Sequence, residues 1–78
     1  MDLAQRIKQI LTNVLEVKED EITDSFGPGD ADLWDSMNNL HLITALEEEF
    51  QIHLTMDEIR QMDTFGRIKE IVERRASA

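Results

Sequence analysis

The sequence predicts an all-α fold: a four-helix bundle with a long loop between helices one and two and a short third helix. Three observations carry this prediction. Apolar residues recur at three- and four-residue spacing in three segments, and residues suited to capping a helix stand before each of them. Between the first and second segments, Lys18 to Trp34 is acidic, broken by Gly27, Pro28 and Gly29, and without that periodicity.

In the first segment, "DLAQRIKQILTNVL", Leu3, Ile7, Ile10, Leu11 and Val14 share one helical face and Asp2 stands at the cap, with Gln5 three residues on. The helix is expected to end near Leu15 to Val17, where charge replaces periodicity. The loop that follows is long for a compact domain, so its isolated apolar residues Ile22, Phe26, Leu33 and Trp34 are expected to pin it to the core. Trp34 in particular is expected to cover the core; exposed beside Ser36, it would instead pack on a partner or an attached group.

The second helix opens at Asp35 or Ser36 and runs to about Phe50. At 100° per residue, Leu42, Ile43, Leu46 and Phe50 fall within an arc of roughly 100°, the width of a core-facing stripe. Met37, His41, Thr44 and Glu48 form a second, solvated stripe that begins beside Ser36. In the link "QIHL", Ile52 and Leu54 alternate inward. Thr55 and Glu58 then make a capping box for the short third helix in "TMDEIRQM". Asp63 or Thr64 caps the fourth, which turns Phe65, Ile68, Ile71 and Val72 inward and places Lys69, Arg74 and Arg75 toward its negative end.

With 78 residues the chain is expected to form one domain, residues 1–78, burying only roughly 60% of its unfolded surface. That leaves no room for an enclosed active-site cavity beside a full core. Any cavity between the helices would be lined by Leu42, Ile43, Leu46, Ile59, Ile68 and Ile71. A formal charge of -9 repels phosphate backbones and anionic lipid, so neither nucleic acid nor membrane insertion is expected; basic protein surfaces suit it better. Eight acids and one base lie between Glu16 and Asp35, the strongest electrostatic address for a partner. The chain has no cysteine, hence no disulfide, thiolate metal site or cysteine nucleophile. With no signal-like start and no membrane-spanning apolar run, a cytoplasmic monomer is expected.

The residue types around Ser36 separate four roles for it. As a calcium loop, "DSFGPGDADLWD" fails because its third and fifth positions are Phe26 and Pro28, which have no side-chain oxygen, so no metal site is expected. As a nucleophile, Ser36 lacks a base: His41 lies about 140° around the same helix, and "WDSMN" has neither glycine of a nucleophile elbow. No catalytic residue is therefore expected, and His41 and His53 read as a solvated helix residue and a link residue. As a helix cap, Asp35-Ser36 is well suited, yet capping leaves the long acidic loop and the second stripe unexplained. A point of attachment explains all three, since a phosphodiester at a helix N-terminus meets unpaired amides and the positive end of the dipole.

"DSM" followed by "LHLITALEEEF" resembles the acyl carrier proteins, whose hallmark is Asp-Ser-Leu at the start of the second helix followed by a pattern close to L-x-x-A-L-E-E-E-F. The likeness extends along the whole chain, through "EDEIT" at the opening of the loop to "MDTFGRI" before the last helix. The resemblance implies a non-catalytic, free-standing carrier with a covalent 4'-phosphopantetheine on Ser36, transferred from coenzyme A by a phosphopantetheinyl transferase that recognises Asp35. It further implies thioester-bound acyl or aminoacyl cargo, and partners (ligases, synthases and transferases) with basic surfaces that dock on Met37, Leu40, His41, Thr44, Glu47 and Glu48.

The chain departs from the family pattern where fatty-acid-synthesis carriers commonly place acids, having Asn38 and His41 there. It also has Thr44 for an apolar residue and Trp34 directly before Asp35. These departures point to a dedicated carrier for a specialised pathway rather than to the ordinary fatty-acid enzymes. Met37 in place of Leu recurs in D-alanine carriers, which leaves fatty-acid, polyketide and aminoacyl cargo open. The competing readings are an unmodified acidic helical adaptor and a small hydrolase using Ser36.

Overall fold

A computed structural model describes residues 2–76. Four helices, α1 (Leu3–Leu15), α2 (Ser36–Phe50), α3 (Met56–Gln61) and α4 (Phe65–Ala76), share one apolar core, and the described residues contain no strand. Ile7, Leu11, Leu15, Leu42, Leu46, Phe65, Ile68, Ile71 and Val72 are its most buried side chains, contributed by α1, α2 and α4. The predicted stripe of α4 is buried throughout and that of α2 from Leu42 to Leu46, with Phe50 half-buried. In α1 Ile7 and Leu11 are buried as expected, Leu15 joins them from outside the predicted face, and Leu3, Ile10 and Val14 are half-buried. Short α3 joins the bundle through half-buried Ile59, which packs against the core from the side.

The caps follow the sequence. Asp2 accepts from the Gln5 amide at 2.8 Å, and Thr55 and Glu58 exchange reciprocal bonds of 2.9 and 3.1 Å. For α4 it is Thr64, rather than Asp63, that accepts from the Arg67 amide. Helices α1 and α2 end on residues in the left-handed region, Glu16 with φ 55° and Gln51 with φ 54°. Glycine is the usual occupant of that conformation, so neither helix end carries its ordinary mark in the sequence.

The α1–α2 loop holds two single 3₁₀ turns, Glu19–Glu21 and Pro28–Asp30. Ile22, Phe26, Ala31 and Trp34 anchor it in the core, whereas Leu33, expected to do the same, is 39% exposed. Its neighbour Trp34 takes the buried position instead, stacked on Phe26 with ring centroids 5.8 Å apart. The backbone then ties the loop to the start of α4: Phe65 N donates to Phe26 O and Gly66 N to Asp24 O, both at 2.9 Å. This seam needs glycine at position 27, where a Cβ would stand 2.8 Å from the Asp63 carbonyl oxygen.

The six residues expected to line any internal cavity all belong to the core or pack against it. Leu42, Ile43, Leu46, Ile68 and Ile71 are packed in the core at 0–5% exposure, and Ile59 borders a surface groove.

Candidate functional site

Ser36 is the first residue of α2 and is exposed. Asp35 is the N-cap, its carboxylate accepting from the Asn38 amide at 2.9 Å while its carbonyl accepts from Asn39 N at 2.8 Å. The cap is therefore already made by Asp35. The Ser36 hydroxyl has no hydrogen-bond partner among the described residues, nor do the amides of Ser36 and Met37. The first turn of α2 carries no acid. A hydroxyl beside two open amides at the positive end of a fifteen-residue helix suits an attached anion.

Ser36 lies on the wall of a groove of ≈ 410 Å³, open to solvent, between the loop, the start of α2 and α3. Pro28, Trp34, Ile59 and Met62 make it mainly apolar, and Asn39, Arg60, Asp35 and Asp63 supply its polar edge. Trp34 is only 6% exposed yet reaches this groove, so it both covers the core and borders the site. Its Nε1 donates to Asn39 Oδ1 at 2.9 Å, the acceptor that a buried indole requires. Asn39, Arg60, Met62 and Pro28 were not expected as site residues, Pro28 being read only as a loop breaker and a failed calcium-loop position. The need of Trp34 for an acceptor was the one signal for Asn39; nothing local marks the other three.

The predicted docking residues divide into two groups. Met37 is 68% and Leu40 63% exposed, and His41, Thr44 and Glu48 are exposed with them along α2. Glu47 is half-buried instead, and its carboxylate accepts from the Leu54 amide at 2.9 Å, fixing the α2–α3 link. From Ser36 to Leu46 the helix has no carboxylate at all, so the front of this face is apolar and neutral. The exposed acids Glu19, Asp20, Glu21, Asp24, Asp30 and Asp32 stand on the loop.

A second depression, of ≈ 440 Å³, is bordered by Asp24, Thr64, Gly66, Arg67, Lys69, Glu70 and Glu73 and shares no residue with the Ser36 groove. Asp24 and Lys69, on its rim, are joined by a 2.8 Å ion pair. No three His, Asp or Glu side chains among the described residues converge as metal ligands. Among the described residues, no helix is long and apolar enough to cross a membrane.

No protein-family model matches the sequence. The structure is similar to the solution NMR structure of a holo acyl carrier protein from Geobacter metallireducens, with a TM-score of 0.87, 22% sequence identity, and coverage of 99% of this chain and 88% of that one. The chain therefore has the acyl carrier protein fold, as the resemblance in its sequence implies.

Proposed function

We propose that the protein is a non-catalytic carrier whose Ser36 hydroxyl receives 4'-phosphopantetheine from coenzyme A. One observation carries the reading: Asp35 caps α2, which leaves the exposed Ser36 hydroxyl at the helix N-terminus with no structural duty. In the transfer, Ser36 Oγ forms a bond to the pantetheine-bearing phosphorus of coenzyme A, the bond to 3',5'-ADP breaks, and the hydroxyl proton passes to a base of the transferase. The residues fit the product, because its phosphodiester meets the open amides of Ser36 and Met37 and no side-chain acid in the first turn. The thiol at the end of the arm supplies the thioester chemistry of a chain that has no cysteine.

The partners are a phosphopantetheinyl transferase, the ligase or acyltransferase that loads the arm, and the synthases that use its cargo. Exposed Met37 and Leu40 give them an apolar anchor beside Ser36, while the loop acids attract basic surfaces from a distance. Cargo of a specialised acyl or aminoacyl pathway fits the neutral front of α2 better than the ordinary fatty-acid set. The protein acts as a monomer in the cytoplasm, where coenzyme A is available.

Incubation with coenzyme A and a promiscuous transferase, followed by intact-mass measurement, tests the reading. The expected result is the gain of one phosphopantetheinyl group, absent in Ser36→Ala. Unchanged mass with several transferases would point to an unmodified adaptor.

A further inference from the structure

The groove beside Ser36 contains one pair whose chemistry the cap and the core leave unused. An indole N–H only donates, and an asparagine side chain has one accepting oxygen and two donor hydrogens on its nitrogen. Because Trp34 Nε1 donates to Asn39 Oδ1 at 2.9 Å, the orientation of the Asn39 carboxamide is set. Its Nδ2 is left with no acceptor among the described residues, on a side chain that borders the groove with Ser36. Pro28, Trp34, Ile59 and Met62 present apolar atoms there, beside a polar edge of Asp35, Arg60 and Asp63.

The geometry points to a docked arm: we propose that Asn39, oriented by Trp34, donates from Nδ2 to an amide carbonyl of the phosphopantetheine on Ser36 and holds the arm in this groove. The inference rests on the reading of Ser36 as the attachment site. A group tethered on the groove wall meets the groove at an effective concentration on the order of millimolar, so a few weak contacts suffice to populate the docked state. The arm has the matching chemistry, with two amides to accept and donate, and a geminal dimethyl pair beside the phosphate to lie on Pro28, Trp34, Ile59 and Met62. Asn39 is thus a positioning residue. The arm rests on the outside of the bundle, consistent with a core whose leucine and isoleucine side chains are already packed.

The experiment compares apo and holo protein by ¹H–¹⁵N NMR, with isotope label in the arm and modification first verified by intact mass. In holo protein the Asn39 side-chain amide resonances shift and show nuclear Overhauser contacts to the arm. Asn39→Asp keeps an acceptor for Trp34 but loses the donor. Its indole resonance stays in place, its mass gain is unchanged, and the arm contacts are lost. Full mass gain with arm resonances at their free coenzyme A values, or with contacts that persist in Asn39→Asp, would overturn the docking role and leave the attachment reading intact. No mass gain at all would remove both.

Discussion

Arg75 of α4 grips Glu58 of α3 with two parallel bonds, Nε to Oε2 at 2.7 Å and Nη2 to Oε1 at 2.8 Å. The same carboxylate completes the Thr55 capping box, so one side chain both starts α3 and fastens it to the end of α4. Because α3 has only six residues, too few to be stable alone, this pair and the packing of Ile59 hold one wall of the Ser36 groove in place.

The Arg75 bonds, followed by the Thr55 amide, hold the Glu58 carboxyl down at about 2, against an ordinary value of 4.5. A carboxyl whose pKa is lowered in the folded state contributes stability in full above its unfolded pKa and loses it as pH falls through the folded one. Arg75→Met is therefore expected to lower the melting temperature at pH 7, and the gap to wild type is expected to close between about pH 4.5 and 2. Thermal melts across that range check this; a gap independent of pH would assign the effect of Arg75 to packing.

Gly27→Ala is expected to cost about 1–3 kcal/mol, because its Cβ would stand 2.8 Å from the Asp63 carbonyl and force the loop off the start of α4. Gly29→Ala, whose Cβ meets nothing within 4 Å, is expected to be neutral or slightly stabilising. Urea titrations of the two variants separate close approach from general loop stiffening. Equal effects would show that the seam at Asp63 is not what fixes the loop.

The four helices were legible because α1, α2 and α4 each carry an apolar stripe on a helical period, and all four have an Asp or Thr cap in the sequence: Asp2, Asp35, Thr55 and Thr64. The ends of α1 and α2 fall where expected, at Leu15 and Phe50, although Glu16 and Gln51 adopt the left-handed conformation without being glycine. The place of Ser36 at the exposed start of α2 was legible from the sequence, but the groove beside it was not. That groove is assembled from Pro28, Trp34, Asn39, Ile59 and Met62, residues of the loop, α2 and α3 whose adjacency depends on how the loop folds over the core. Leu33 and Trp34 illustrate the limit: both are apolar loop residues, and only packing against Phe26 selects which one turns inward.

Replacing Asp35 and Ser36 separately distinguishes a cap from a handle. Asp35→Ala removes the acceptor of the Asn38 amide and is expected to cost about 1 kcal/mol. Ser36→Ala removes an exposed hydroxyl without a partner and is expected to change stability by less than about 0.5 kcal/mol, while abolishing modification by coenzyme A. Denaturant melts and intact mass read the two effects independently. A Ser36→Ala variant as unstable as Asp35→Ala would return the serine to a structural role.

Adjacent acids at the end of α2 are expected to respond differently to charge reversal. Glu47→Lys removes the carboxylate that accepts from the Leu54 amide and leaves that half-buried N–H without its partner, at a cost of about 1–2 kcal/mol. Glu48 is exposed and has no such bond among the described residues, so Glu48→Lys is expected to leave the melting temperature unchanged. The front of the face is neutral, so a partner docking there as proposed is expected to hold it by apolar contact more than by charge. Met37→Ala and Leu40→Ala are accordingly expected to slow loading of the arm by partner enzymes more than Glu48→Lys does, each with a near-native melt. Single-turnover loading rates at low and high salt decide the matter: a rate that falls steeply with salt, and more in Glu48→Lys than in Met37→Ala, would place the recognition in the charges instead.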